Sequence, residues 1–198
     1  LVATSLRIAM TQPPADPFNT GLVYEDQLPL HWQAVAAPLD AAHWAPLHEA
    51  NEDVLRSLSM LEEHPQEIVE ELPAVAHEFR RLDFKLNLLL DMVGLLVARD
   101  LALPARVPLR LTAQGLEWST AQPPPVHSLV QLQLYLSSKL PRPLVLLGRI
   151  QSHTPAADGS SRVVAVFEDL SELEADWLEK IIFVHHRRQV AHARRAPY

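Results

Sequence analysis

From Ile68 onward, large apolar residues fall at Leu72, Val75, Phe79, Leu82, Leu86, Leu89, Val93 and Leu96, separated by alternating steps of four and three. That alternation is an a/d heptad repeat. Its mean spacing of 3.5 residues keeps one stripe turned toward a partner helix as the two supercoil. Leu72, Phe79, Leu86 and Val93 take the a positions. Val75, Leu82, Leu89 and Leu96 take d, with Ile68 one step earlier, and no charge interrupts the seam.

A lone helix cannot leave such a stripe in water, because burying each large side chain gains about 1.5–3 kcal/mol. The alternative is packing on the rest of the same chain, but helices packed that way follow a looser period of 3.6 residues. The repeat therefore predicts self-association through residues 66–98. Ala76, Leu90 and Val97 at e, with Leu88 and Leu95 at c, widen the seam beyond what a two-stranded coil buries. Together with Phe79 at a, they favour a higher oligomer, a tetramer, over a dimer. Asn87 at b and Asp91 at f stay outside the seam.

The same stretch is no membrane span. Its longest uncharged run is Met92 to Ala98, far short of the roughly 20 residues a spanning helix needs. "LVATSLRIAM" has neither a basic start nor a long apolar core, so no signal peptide is expected. With 48% hydrophobic residues the 198-residue chain can fill a core, and a net charge of −7 disfavours a nucleic acid polymer as partner. The absence of cysteine excludes disulfides and thiolate metal sites and fits a reducing, cytoplasmic setting.

Around the repeat the texture differs. Residues 1–20, with "TQPPADPFNT", read as a flexible arm. "LVYEDQLPLHWQ" reads as a strand, with Pro29 suiting an edge. A helix follows, with Leu47, Val54, Leu58 and Leu61 on one side, so residues 41–100 form a helical insertion. Within residues 101–198, strands are expected at 107–112, 115–119, 129–136, 144–150 and 162–168, with Asp158-Gly159 as a hairpin turn. Val130, Leu132, Leu134 and Leu136 alternate with the period of a half-buried strand. The class is α+β: a small antiparallel barrel, an inserted long helix and a closing helix. The closing helix opens on a capping box, Ser171 with Glu174, and carries an apolar stripe of Leu173, Trp177, Ile181 and Val184. Its basic end, Arg187 to Arg195, reads as a solvated terminus.

In order, "VPLRLTAQGLEWST", "LVQLQLYL", "LVLLGRI" and "RVVAVFEDLSELEADWLEKIIF" resemble the strands and closing helix of a PilZ domain. The first strand followed by a long helical insertion resembles the atypical branch of that family, which forms tetramers through the insertion. The resemblance covers roughly residues 22–190 and implies a six-stranded barrel over residues 21–198. Typical members bind cyclic di-GMP through an Arg-x-x-x-Arg segment ahead of the barrel and a [D/N]-x-[S/A]-x-x-G motif within it. Here the second motif falls on Arg110-Leu111-Thr112-Ala113-Gln114-Gly115. Thr112 and Gly115 fit, but Arg110 stands where an acceptor for a guanine edge belongs, and a guanidinium accepts nothing. Arg106 and Arg110 spell Arg-x-x-x-Arg, yet Arg110 already opens the second motif, so the match reads as chance. The resemblance thus implies a non-enzymatic adaptor, acting through an unidentified protein partner in bacterial signalling or motility, without cofactor. The rival is a cyclic di-GMP receptor using Arg106 and Arg110.

No metal site is expected from the ten histidines. Neither His185, His186 and His192 nor His43 and His48 share one helix face at ligand spacing. Trp118 and Trp177 read as core. Glu62/Glu63 and Glu70/Glu71 read as solvated charge rather than catalytic pairs. With five glycines and no nucleophile elbow, phosphate loop or dinucleotide fingerprint, no enzyme is expected.

Overall fold

A strand precedes the helices along the chain. β1 (Tyr24–Ala34) is followed by α1 (Ala41–Glu62) and α2 (Pro73–Asp100). The chain then lays down β2 (Arg106–Leu111), β3 (Gly115–Thr120), β4 (Leu129–Leu134), β5 (Leu144–Pro155), β6 (Ser161–Glu168) and α3 (Glu172–Arg195). The computed structural model describes residues 17–18, 21–35, 41–62 and 73–195. Six antiparallel strands close in the order β1-β2-β3-β6-β5-β4. Closure removes the unpaired edges that an open sheet would expose.

β1 is not an edge, which corrects the expectation drawn from Pro29. The strand pairs with β2 from Tyr24 to Pro29 and with β4 from Leu30 to Ala34. Proline sits where one partner gives way to the other, so its missing N–H costs no ladder bond. Its carbonyl still accepts from Tyr135 N at 3.1 Å. β4 ends at Leu134, short of the expected 136, and β5 runs on to Pro155, past the expected 150, since β5 and β6 continue pairing past an irregularity at Ile150/Ser152. Gly159 closes that hairpin at φ 83°, a conformation that favours glycine. The Asp158 carboxylate, held below its usual range by the Ser160 hydroxyl and N–H, fastens the turn.

The alternating positions of β4 point inward as expected. Val130, Leu132 and Leu134 are fully buried with Leu111, Leu116, Leu144, Ile150 and Val163. Trp118 joins this core. α1 packs Val54, Leu55 and Leu58 into the same cluster and lays Trp44 on Leu129 and Leu147.

One buried carboxylate fastens α1 and β5 to α3. Glu174 is fully buried, and its Oε2 accepts from Ser171 N at 2.8 Å while Ser171 Oγ accepts from Glu174 N at 3.1 Å. This is the expected capping box. Glu174 Oε1 also accepts from Asn51 Nδ2 at 2.8 Å, and His48 Nδ1 lies 2.7 Å from Oε2. Asn51 in turn bonds both the N–H and the C=O of Val145. Because the cap pulls Glu174 inward, the packed face of α3 is Glu174, Leu178, Ile181 and Ile182. The expected stripe is rotated accordingly, and Leu173 is left exposed. Among the described residues no helix is long and apolar enough to cross a membrane.

Candidate functional site

α2 uses its small and polar side against its own chain. Gly94 is its one buried residue among those described, and Asn87, Asp91 and Ala98 beside it are half-buried. They recur at steps of four, three and four, so they share a face. The Ser138 carbonyl and the Lys139 Cα fill the place where a Gly94 side chain would begin. Lys139 Nζ donates to Asn87 Oδ1 at 2.7 Å, and Asn87 Nδ2 donates to the Asp83 carbonyl at 2.9 Å.

The heptad positions point away from that seat. Val75, Phe79, Leu82, Leu86, Leu89, Val93 and Leu96 are between 41% and 61% exposed. Ile68 and Leu72, expected on the same seam, lie outside the described residues. Leu88, Met92, Leu95 and Val97 extend the exposed apolar arc on both flanks. A contiguous apolar face of this size marks an interaction surface.

The residues matched to a nucleotide motif are engaged within the barrel. Arg106 and Arg110 lie on β2, four apart and therefore on one face of the strand. Arg110 Nε donates to Glu25 Oε1 at 3.0 Å, and its Nη1 reaches Glu117 Oε1 at 3.5 Å. The Phe18 ring centroid lies 5.0 Å from the same guanidinium. Arg106 Nη1 lies 3.4 Å from the Gln27 carbonyl. Thr112 is buried, and its Oγ1 accepts from Gln114 N and Gly115 N, so it braces the β2–β3 turn. Gly115 is needed there because a Cβ would meet the Ala165 carbonyl oxygen at 2.5 Å. The motif's two matching residues thus have structural work in the turn. No sequence signal shows that Arg110 has carboxylates on both neighbouring strands, because that pairing depends on register.

Glu62 corrects a second expectation. Its carboxylate, 14% exposed, accepts from His185 Nε2 at 2.8 Å and from Arg188 Nη1 at 3.1 Å. It clamps the end of α1 to α3 instead of standing in solvent, and it takes Arg188 out of the solvated basic end. The His185 ring also stacks on Tyr24 at 4.4 Å. Burial, foremost, and the hydrogen bond to Asp26 push the Tyr24 hydroxyl far above its ordinary pKa. Glu63, Glu70 and Glu71 lie outside the described residues. Among the described residues no cluster of histidine, aspartate and glutamate has the arrangement of a metal site.

Residues 55–195 match the family model of the atypical PilZ domain, described as a cyclic di-GMP receptor. Among solved structures, a tetrameric PilZ domain protein of Xanthomonas campestris, self-assembled via an unusual helical bundle, is similar with a TM-score of 0.64. It is 26% identical, over 88% of this chain and 93% of that one. The PilZ domain of YcgR from Escherichia coli, solved with c-di-GMP, has a TM-score of 0.37 and 17% identity, over 46% of this chain and 79% of that one. No curated protein matches the chain.

Proposed function

The chain belongs to the atypical PilZ domain family, and from that premise we propose that it is a non-enzymatic signalling adaptor, assembled as a tetramer through α2 and acting by protein–protein contacts. One observation carries the reading. The seam from Val75 to Leu96 is exposed, while the opposite side of the same helix rests on the barrel at Gly94 and Asn87. A helix already seated by its polar side leaves its apolar side for other copies. The breadth of that side, from Leu88 through Val97, suits a bundle in which each helix has two neighbours. The self-assembling relative from Xanthomonas supports the same arrangement.

The adaptor half of the proposal rests on the state of Arg110. Its guanidinium is shared between Glu25 and Glu117, so a nucleotide phosphate would have to displace two carboxylates. A second reading, a cyclic di-GMP receptor working through Arg106 and Arg110, is favoured by the family's description. Titration calorimetry with cyclic di-GMP separates the two. The adaptor reading expects no micromolar binding by the intact chain. Micromolar binding that disappears in Arg110→Ala would replace it with the receptor.

A further inference from the structure

A cleft of ≈ 700 Å³ opens where α2 meets the barrel, on the helix side that carries Asp83 and Asn87. Its size falls in the range of about 300–1,000 Å³ typical of binding sites. The floor is apolar and buried, from Tyr24, Leu28, Leu58 and Leu136. Phe84, 70% exposed, stands at its margin on α2.

Charge decides what this floor can accept. Arg106 and Lys139 line the cleft, and among the described residues no carboxylate lies within ion-pair distance of either. The guanidinium of Arg106 has a backbone carbonyl at 3.4 Å, and the Lys139 ammonium has the neutral Asn87 amide. Of the cleft's carboxylates Glu62 is ion-paired, while Asp26 and Asp83 are held by neutral donors and keep their charge. Glu62 serves His185 and Arg188, Asp26 accepts from Tyr24 and the Gln27 N–H, and Asp83 accepts from Asn87. With Arg80 and Arg188, Arg106 and Lys139 give the lining four cations against the three carboxylates Asp26, Glu62 and Asp83, a small positive excess above an apolar floor in a chain of net charge −7. Complementarity asks for a ligand with carboxylates beside an apolar anchor.

The geometry points to this cleft as the docking site for an acidic peptide segment of a partner protein, with a Phe, Leu or Ile side chain seated on the floor and a flanking Asp or Glu meeting Arg106 and Lys139. This inference rests on the adaptor reading and names the partner's chemistry. Self-assembly through the Leu86 and Leu89 side of α2 does not use the Asn87 side, which faces the chain's own barrel, so the cleft between them stays open to a different protein. Because Phe84 and Asn87 belong to α2, a docked segment would touch the assembly helix and the barrel at once.

The test is display selection of random dodecapeptides on the intact chain. Retained peptides should pair Asp or Glu with Phe, Leu or Ile. They should bind the Arg106→Gln/Lys139→Gln double variant at least about tenfold more weakly, a loss of roughly 1.4 kcal/mol. Phe84→Ala, at an exposed position that leaves the fold intact, should weaken them as well. Peptides without acidic residues, peptides resembling α2 itself, binding unchanged in both variants, or no retained peptide would each overturn the inference. Light scattering on the same samples keeps the assembly reading separate, since the variants should hold the parent mass.

Discussion

The Ser138 carbonyl oxygen lies against Gly94 so closely that no side chain could begin there. This contact decides which side of α2 the chain keeps for itself. Glycine costs about 1 kcal/mol against alanine inside a helix, so its place in the middle of α2 is explained by the backbone it admits. The consequence is functional, because it leaves the leucine seam of the same helix uncovered.

Gly94→Ala should therefore destabilise the chain despite the better helix propensity of alanine. The expected cost is about 1–3 kcal/mol, as for other overpacked contacts. Urea denaturation measures it. A rise in the unfolding midpoint would mean that the seat is loose and that α2 is not fixed by it.

The Glu174 network should behave as one unit. Asn51→Ala removes the bonds to Val145 and strands a buried carboxylate that also serves His48 and the cap. Losing charged hydrogen bonds of this kind costs about 1.5–3 kcal/mol each. Glu174→Ala should cost at least as much, and the double variant clearly less than the sum of the two. Additive losses in a double-mutant cycle would show that the groups act separately.

Much of this architecture was legible in the residues. The 4-3 spacing located α2, the two-residue alternation located β4, and Ser171 with Glu174 located the start of α3, because each of these signals is local. What escaped depends on chain segments brought together by folding. Pro29 looked like an edge residue because its two partners, β2 and β4, lie far along the chain. Glu62 looked solvated because His185 and Arg188 arrive from α3. The carboxylates beside Arg110, Glu25 and Glu117, come from neighbouring strands that only the barrel's register brings together. Small and polar residues at helical spacing, Asn87, Asp91, Gly94 and Ala98, were a signal for the seat on the barrel that the apolar pattern overshadowed.

Alkaline pH should weaken the fold through Tyr24. Its hydroxyl is raised by burial first, then by Asp26. In the unfolded chain it titrates near pH ~10. A group whose folded pKa lies above its unfolded value stabilises fully below the unfolded pKa, and that contribution is lost as pH rises past it. Melting temperature should fall above about pH 10, and Tyr24→Phe should flatten that fall. Parallel curves for parent and variant would remove Tyr24 as the cause.

Arg110→Ala should loosen the outer surface of the barrel only modestly. Its ion pairs are partly solvent-screened, and such pairs are worth roughly 0–1 kcal/mol. Thermal unfolding should register a small loss with no change in subunit number. A loss above about 3 kcal/mol would indicate a structural role beyond these pairs.

The central claim is that the leucine seam of α2 is covered by sister chains. Light scattering of the intact protein beside the Leu86→Asp/Leu89→Asp variant tests it most directly. The parent should elute at four times the chain mass and the variant at the mass of one folded chain. A parent that is monomeric, or a variant that keeps the parent mass, would contradict the account.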